Sequence, residues 1–320
     1  MNRTFSLLFP LLVALSCGED DPETESFVDA CGNETTESLT DKRCLYTVST
    51  LTEAFNGSGG LSVDAQGNIY VADFGNNLNN ADGTIVSKVD PCTGEISTFA
   101  TGLRGPSGNT FSSAGNLIQA NIQGNTISEI SLEGEVTVFS SSQLVSPVGV
   151  VFDDDGNLYV CNCGNAEVLK VDTARQTRTF AASRAFFNCP NGLTIDNSGN
   201  LYIANFGNGN VTKVTPEGDP EILATLPGAS NSHLTFGNNV LYVLSRNGNK
   251  LYEVTLEGEV SLIAGTGEQG NQDGDGNEAT FFVPNGVDLS PDGTRIYVTS
   301  RLVDQGSPLN PVVVRVIELK

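Results

Sequence analysis

The chain has 320 residues, 35 glycines, no tryptophan and a formal net charge of −22. A chain of this length forms one large domain or two ordinary ones, and its short apolar runs between Gly, Asn, Asp and Pro predict an all-β protein. Because so acidic a surface repels phosphate backbones, the charge argues against a nucleic-acid partner and is typical of an exposed, soluble body.

The first element in chain order is a predicted signal peptide. Arg3 precedes an apolar run from Phe5 to Leu15 that is too short to span a bilayer as a helix. The sequence Ala14-Leu15-Ser16-Cys17 resembles the lipobox of bacterial lipoproteins, in which a small residue precedes the lipidated Cys. We therefore expect residues 1–16 to be a lipoprotein signal peptide and Cys17 to carry the lipid; the alternative is an ordinary secretory signal.

Residues 17–43 are predicted to be an acidic tether. Between residues 18 and 41 the chain has nine Asp or Glu and no Lys or Arg, a composition that cannot bury a core. An acidic run directly after the lipidated Cys resembles the surface-export signal of Bacteroidota lipoproteins. We expect an envelope protein that is held at the outer membrane by its lipid alone. The resemblance to the export signal implies that the protein is exposed at the cell surface.

A hairpin of two alternating strands and a Gly/Asn turn recurs through the rest of the chain, with equivalent positions about 40 to 55 residues apart. Two further strands follow each hairpin, as in residues 125–140 and 249–264. Four antiparallel strands per unit are typical of a propeller blade. The hairpins cover residues 61–73, 109–121, 150–162, 193–205, 234–245 and 287–300. The sequence therefore predicts a six-bladed β-propeller over residues 44–320.

The last blade has its third strand at Val312 to Leu319, while Leu45 to Leu51 has the pattern of an outer strand. We expect that strand to join the last blade and close the ring, which removes an open sheet edge. The repeat P-x-G…D-x-x-G-N-x-Y-V-A-D resembles the NHL repeat and the SMP-30/gluconolactonase-like propellers, and residues 264–286 are especially NHL-like. The resemblance covers about residues 45–320 and implies a fold that hosts hydrolases, lyases and binding modules.

The cysteines permit disulfides in an exported protein. If Cys17 carries lipid, six of the seven remain, and fifteen pairings are possible. Cys163 follows the second strand of the third blade, and Cys189 lies on the crossing into the fourth. Both lie on the same face of neighbouring blades, so we expect this pair to be bonded and leave the pairing of Cys31, Cys44, Cys92 and Cys161 open.

The resemblance places ligands on the face where first strands begin and second strands end. His233 maps to this face, where a hydrogen-bonded structural role is the alternative to ligand contact. The residues that end the second strands are candidates for ligand binding because they offer one carboxylate, three amides and two hydroxyls. They are Asp73, Asn121, Asn162, Asn205, Ser245 and Ser300.

A channel metal is also implied, because SMP-30-like enzymes hold one with a Glu, an Asn and an Asp at first-strand starts. Asn191 and Asn285 lie in Pro-Asn-Gly motifs that match the Asn-bearing form, and Asn231 has the analogous place. Gly59 and Val148 stand where acids are required. Since Ca²⁺ affinity depends on ligand charge, three amides are a weak Ca²⁺ site, and hydrogen bonding of turns is the alternative.

Two arginines complete the candidate site. Arg246 and Arg301 each directly follow a serine of the second-strand set, and a guanidinium suits carboxylate or phosphate. The alternative is chance placement on variable loops. We therefore expect a small anionic molecule or a protein as the partner at this face.

Three functions fit these residues. The one that the sequence favours is a monomeric, non-catalytic binding module of the cell envelope. The second is an SMP-30-like metal-dependent hydrolase of lactones or small esters. Such an enzyme needs a general base and charged metal ligands, and Asp73 is the one acid in the candidate set. A purely structural envelope lipoprotein is the third.

Overall fold

A computed structural model describes residues 27–28, 34–35, 40–228, 230–303 and 306–320. The predicted signal peptide, Cys17 and most of the predicted tether lie outside these residues. In the described part of the chain, no helix is long and apolar enough to cross a membrane.

The fold is a six-bladed β-propeller of four-stranded antiparallel blades, as the sequence predicts. The inner strands of neighbouring blades pack against one another around a central channel. From the channel outward, the strands are Leu61–Val63, Ile69–Ala72, Val86–Val89 and Ile96–Ala100 in blade one; Pro106–Phe111, Leu117–Asn121, Thr126–Ile130 and Val136–Ser140 in blade two; Pro147–Phe152, Leu158–Asn162, Glu167–Val171 and Thr177–Ala182 in blade three; Pro190–Ile195, Leu201–Asn205, Asn210–Val214 and Pro220–Thr225 in blade four; Asn231–Gly237, Val240–Ser245, Lys250–Thr255 and Val260–Ala264 in blade five; and Val287–Leu289, Arg295–Arg301, Val312–Leu319 and Tyr46–Thr50 in blade six.

A few short elements lie outside this pattern. Phe27–Val28 pairs with Glu34–Thr35, and Gly274–Asp275 pairs with the outer strand of blade six. Two 3-10 turns cover Arg43–Leu45 and Cys163–Asn165.

The repeated D-x-x-G-N-x-Y motif forms the turn of the inner hairpin, as blade four illustrates. The Asp196 carboxylate accepts hydrogen bonds from the Asn200 backbone N–H at 2.9 Å and from the Tyr202 hydroxyl at 2.9 Å. Gly199 has φ of +82°, a conformation that favours glycine. Each part of the motif therefore holds the turn, and the alternating apolar residues on both sides are left to fill the cores between blades.

The glycine of the P-x-G motif is required where inner strands approach the channel axis. A Cβ on Gly192 would lie 2.6 Å from the His233 Cα, and one on Gly60, which takes the same place in blade one without the Pro, would lie 2.7 Å from the Gly108 Cα. These separations are shorter than any ordinary carbon–carbon contact, so blades can approach this closely only without a side chain.

The ring closes as predicted. Tyr46–Thr50 lies antiparallel to Val312–Leu319, with the buried Val48 opposite Ile317. The chain reaches the propeller slightly before the predicted boundary at Cys44, because Thr40–Asp41 runs parallel to the outer strand of blade five and the Lys42 ammonium is 2.7 Å from the Glu253 carboxylate.

The predicted disulfide between Cys163 and Cys189 is present, and it joins blades three and four. Cys44 is also disulfide-bonded. Cys92 is exposed and free, whereas Cys161 is a buried free thiol.

Candidate functional site

Two cavities lie along the central channel. The first, which we call the mouth, has a volume of about 40 Å³ and opens where the inner strands begin; Ser107, Asn191, Phe206, Arg246 and Asn285 are among the residues that line it. The second, the lower cavity, has a volume of about 150 Å³ and contacts all six inner strands. His233 lines both cavities and therefore separates them.

Arg246 is the charged side chain at the mouth. It directly follows Ser245, whose hydroxyl donates to the Pro227 carbonyl at 2.6 Å, and its own backbone N–H donates to the Ser230 carbonyl at 2.8 Å. These bonds fix the backbone and leave the side chain pointing along the channel wall beside Phe206, whose ring centroid is 5.6 Å from the guanidinium carbon.

The charge of Arg246 is uncompensated. The residue is only 8% exposed, and burial lowers the pKa of the guanidinium to about 10. It makes no hydrogen bond or ion pair through its side chain with any residue that the structure describes. A buried cation without a partner is costly unless a ligand supplies the opposite charge.

Two of the three asparagines predicted as metal ligands line the mouth. The Asn191 side-chain oxygen is buried and has no hydrogen-bond partner among the described residues. The Asn285 amide donates to the Ser58 and Gly59 carbonyls at 2.8 and 3.0 Å. Asn231 does not line the mouth, because its amide donates to the Gly209 carbonyl at 2.6 Å and the residue is fully buried.

The sequence predicts that the residues that end the second strands meet at the mouth. In the structure they do not line it. All six are buried and hydrogen-bonded inside their own blades or to adjoining loops. Asn162 accepts from the Val145 N–H at 2.7 Å, Asn205 from the Asn188 N–H at 2.9 Å, and Ser300 from the Phe282 N–H at 3.0 Å. In each case the donor belongs to the loop that leads into the same blade, so these side chains act as clamps for backbone groups that would otherwise lack partners.

The remaining members of that set also have internal roles. Ser245 bonds Pro227, as described above, and Asn121 donates to the Ser128 hydroxyl at 2.9 Å. Asp73 accepts from the Asn310 amide at 2.8 Å and from the Gly75 N–H at 3.1 Å, and burial raises the pKa of its carboxyl group. The predicted acid thus joins blade one to the loop between the second and third strands of blade six and is not free to act at the mouth.

Arg301 is likewise engaged away from the mouth. Its Nε donates to the Ser307 carbonyl at 2.8 Å, and its guanidinium carbon is 4.8 Å from the centroid of the Phe282 ring. The structure therefore brings together Arg246, His233, Asn191 and Asn285 from the predicted site, and it places Arg301, Asn231 and the second-strand set elsewhere.

One acid in the channel is not among the residues predicted from the sequence. Asp288 lines the lower cavity, where its carboxylate accepts from the Thr235 hydroxyl at 2.8 Å and from the Val63 N–H at 2.9 Å. Desolvation raises the pKa of this carboxyl group. The sequence places Asp288 between Val287 and Leu289 on an inner strand. Because alternate residues of such a strand face the axis, this position could have indicated an acid in the channel.

Less than half of the chain matches the model of a known family. Residues 119–247 match the family model described as "SMP-30/Gluconolactonase/LRE-like region". The predicted resemblance to SMP-30/gluconolactonase-like propellers is confirmed. No functionally curated protein matches the chain.

Three solved structures are similar to this propeller in fold. An auxiliary nutrient binding protein from Bacteroides thetaiotaomicron has 17% identity and a TM-score of 0.69, with 92% of this chain and 82% of that chain covered. A gluconolactonase from Xanthomonas campestris has 14% identity and a TM-score of 0.64, covering 85% and 89%. A virginiamycin B lyase from Staphylococcus aureus has 16% identity and a TM-score of 0.60, covering 86% and 100%.

The residues at the mouth of this propeller do not fit the divalent metal that the resemblance to SMP-30-like enzymes implies. Arg246 puts a cation at the mouth, and no Asp or Glu is among the described residues that line the mouth. Within the same described part of the chain, no three His, Cys, Asp or Glu side chains cluster as metal ligands. A divalent ion would meet like charge there and neutral amides as its ligands, which is unfavourable for Ca²⁺.

Proposed function

We propose that this propeller is a non-catalytic binding module of the cell envelope that holds a small anionic ligand at the mouth of its channel. The observation that carries the proposal is Arg246, a buried cation that lines the mouth and whose side chain has no hydrogen-bond or ion-pair partner among the described residues. An anion would compensate the charge, and a guanidinium offers it up to five N–H donors in a rigid fork.

Binding is favoured over hydrolysis because of what surrounds Arg246. Hydrolysis needs a general base within reach of the substrate. Asp73 is tied to Asn310 and Gly75, and burial depresses the pKa of His233 to about 4. A neutral imidazole in this position contributes hydrogen bonding and shape, and its low basicity makes it a poor acceptor of protons. The fold similarity to an auxiliary nutrient binding protein is consistent with a binding role.

The test is ligand-induced stabilisation. Thermal unfolding is followed with sodium acetate, phosphate and CaCl₂ for the unmodified protein, Arg246→Gln and Arg104→Gln. Arg104 is an exposed arginine that does not line the mouth, so it controls for loss of one positive charge. At a hundredfold excess over its Kd, a bound anion stabilises the protein by about 2.7 kcal/mol.

We expect this stabilisation in the unmodified protein and in Arg104→Gln, and its loss in Arg246→Gln. Because the unpaired charge is costly, Arg246→Gln should be at least as stable as the unmodified protein without ligand. Equal anion responses in all three proteins would reject the site. Stabilisation by Ca²⁺ that persists in Arg246→Gln, together with lactone hydrolysis, would favour the hydrolase instead.

The envelope location is a separate part of the proposal. It rests on the apolar run before Cys17 and the acidic residues after it. The full-length chain and Cys17→Ser are compared by membrane fractionation with a high-salt wash. We expect the unmodified protein in the membrane fraction and the variant in the soluble fraction, since acyl chains supply the membrane affinity of a lipoprotein. Retention of Cys17→Ser after the wash would contradict the lipid anchor.

A further inference from the structure

The mouth is small compared with any whole ligand. A water molecule needs on the order of 10–15 Å³ of comparable space, so a cavity of about 40 Å³ has room for roughly three heavy atoms. A carboxylate group has three heavy atoms, whereas a phosphate or sulfate group has five. Size therefore favours a carboxylate as the part of the ligand that lies beside Arg246.

The charge and donors of the mouth agree with this size. One guanidinium balances one negative charge, and the two oxygens of a carboxylate match its fork. Asn191 lies in the same cavity with its side-chain oxygen unpaired, and the oxygen and nitrogen of an amide can exchange places by rotation. Asn191 is therefore able to donate to a carboxylate that Arg246 holds.

One part of the wall of the mouth is apolar. Phe74 and Leu309 line it and pack with Ala81 in a small cluster of their own. Leu78 lines the same cavity and is 53% exposed, which is unusual for a leucine beside a buried charge. A ligand that continues outward from the carboxylate passes these side chains, and apolar atoms there gain by leaving water.

We propose that the ligand is a monocarboxylate with an apolar chain, whose carboxylate lies between Arg246 and Asn191 and whose chain packs on Phe74, Leu78 and Leu309. This inference rests on the proposed function and deepens it, because it names the chemical class of the anion. It excludes sugar acids and phosphate esters as preferred ligands, since polyhydroxylated or tetrahedral groups match neither the apolar wall nor the volume.

The experiment is a titration by calorimetry of the full mature chain with acetate, butyrate, hexanoate and octanoate. Hexanamide and inorganic phosphate are the comparison ligands. We expect each added methylene to tighten Kd by up to about fourfold while it is being buried. Hexanoate should bind at least tenfold more tightly than hexanamide or phosphate.

Two variants separate the parts of the inference. Leu78→Ser should flatten the dependence on chain length and leave acetate binding unchanged, whereas the matched control Leu132→Ser, which alters an exposed leucine outside the mouth, should change neither. Asn191→Ala should weaken all carboxylates by a similar factor.

Phosphate binding that equals hexanoate binding and is lost in Arg246→Gln would overturn the carboxylate inference and leave the proposed anion site intact. Failure of every anion to bind would overturn both. A chain-length dependence that is unchanged in Leu78→Ser would overturn the assignment of the apolar wall.

Discussion

The guanidinium carbon of Arg246 lies 5.6 Å from the centroid of the Phe206 ring, and each residue directly follows the last residue of a second strand in neighbouring blades. One blade further on, Arg301 follows Ser300 as Arg246 follows Ser245, and its guanidinium carbon lies 4.8 Å from the centroid of the Phe282 ring, which belongs to the loop that leads into the same blade. The two arginines differ in their other partners, because Arg301 also donates to the Ser307 carbonyl. The same position in two blades thus supplies one arginine for loop structure and one whose charge faces the mouth.

This difference predicts opposite effects of two matched substitutions. Arg301→Ala should destabilise the protein by about 1–2 kcal/mol, because it removes a charge-assisted hydrogen bond and a cation–π contact, and it should leave acetate affinity unchanged. Arg246→Ala should lower acetate affinity by at least tenfold with little loss of stability. Urea unfolding and calorimetry on both variants measure the two quantities, and a loss of affinity in Arg301→Ala would contradict the assignment.

The side chains that end the second strands and hydrogen-bond loop backbone groups give a further prediction about stability. Asn205→Ala removes the acceptor for the Asn188 N–H and the donor to the Thr212 hydroxyl at 3.0 Å. We expect it to cost about 1–3 kcal/mol of the free energy of unfolding, since the groups left behind are partly or fully buried. Asn197→Ala, an exposed asparagine in the same blade, is the control and should change stability by less than about 0.5 kcal/mol.

Carboxylate binding in Asn205→Ala separates the two roles that the sequence allows for this residue. A clamp that lies away from the ligand leaves Kd unchanged at temperatures where the variant is folded. A fall in affinity without a fall in stability would show that Asn205 contacts the ligand.

The fold follows from the sequence because its signals are local and repeated. The turn of Asp196, Gly199 and Tyr202 closes within seven residues, and the copies in other blades reinforce the same prediction. Closure of the ring by Tyr46–Thr50 could also be predicted, since blade six otherwise lacks an outer strand. The Cys163–Cys189 pair could be predicted once both residues were placed on adjoining blades.

The site was less predictable because it depends on competition for hydrogen bonds. Asn205 and Asn191 are the same residue type near the same face, yet Asn205 meets an unpaired backbone N–H and Asn191 meets none. Such differences arise from loop conformations that the repeat pattern does not encode. Likewise, the freedom of Arg246 and the engagement of Arg301 depend on the loop that carries Ser307, which has no counterpart in blade five.

The disulfide between Cys163 and Cys189 should stabilise both the fold and the mouth. It closes a loop with a sequence separation of 26, which corresponds to about 3 kcal/mol in the loop-entropy model. Cys189 is also two residues before Asn191, so the bond restrains the start of that inner strand. We expect the Cys163→Ser, Cys189→Ser double variant to melt at lower temperature and to bind carboxylates more weakly.

Cys92→Ser is the control for this experiment, because Cys92 is an exposed free cysteine outside the mouth. It should leave the melting temperature and Kd unchanged. Unaltered stability in the double variant would mean that the disulfide constrains the unfolded chain less than its loop length implies.

His233 gives the protein a pH dependence that one substitution isolates, since it is the single histidine of the chain. Burial lowers its pKa from 6.5 to about 4. Two titratable groups line the cavities that it separates, Arg246 at the mouth and Asp288 in the lower cavity, and burial is the cause of the lowered pKa of His233. The unfolded chain therefore takes up a proton below about pH 6.5, while the folded chain resists protonation until about pH 4.

Proton linkage determines whether His233 stabilises or destabilises the fold as the pH falls. Because the unfolded state binds more protons in this window, the contribution of His233 to stability is fully present above about pH 6.5 and is lost as the pH falls towards 4. The loss is on the order of 3 kcal/mol across the window. Urea unfolding of the unmodified protein and His233→Gln between pH 4 and 7.5 measures it. The carboxylates titrate in both proteins and cancel in the difference, so the stability of His233→Gln relative to the unmodified protein should rise as the pH falls. Parallel profiles over the whole range would show that His233 is protonated as readily in the folded channel as in the unfolded chain, and that it does not form the neutral barrier between the mouth and the lower cavity.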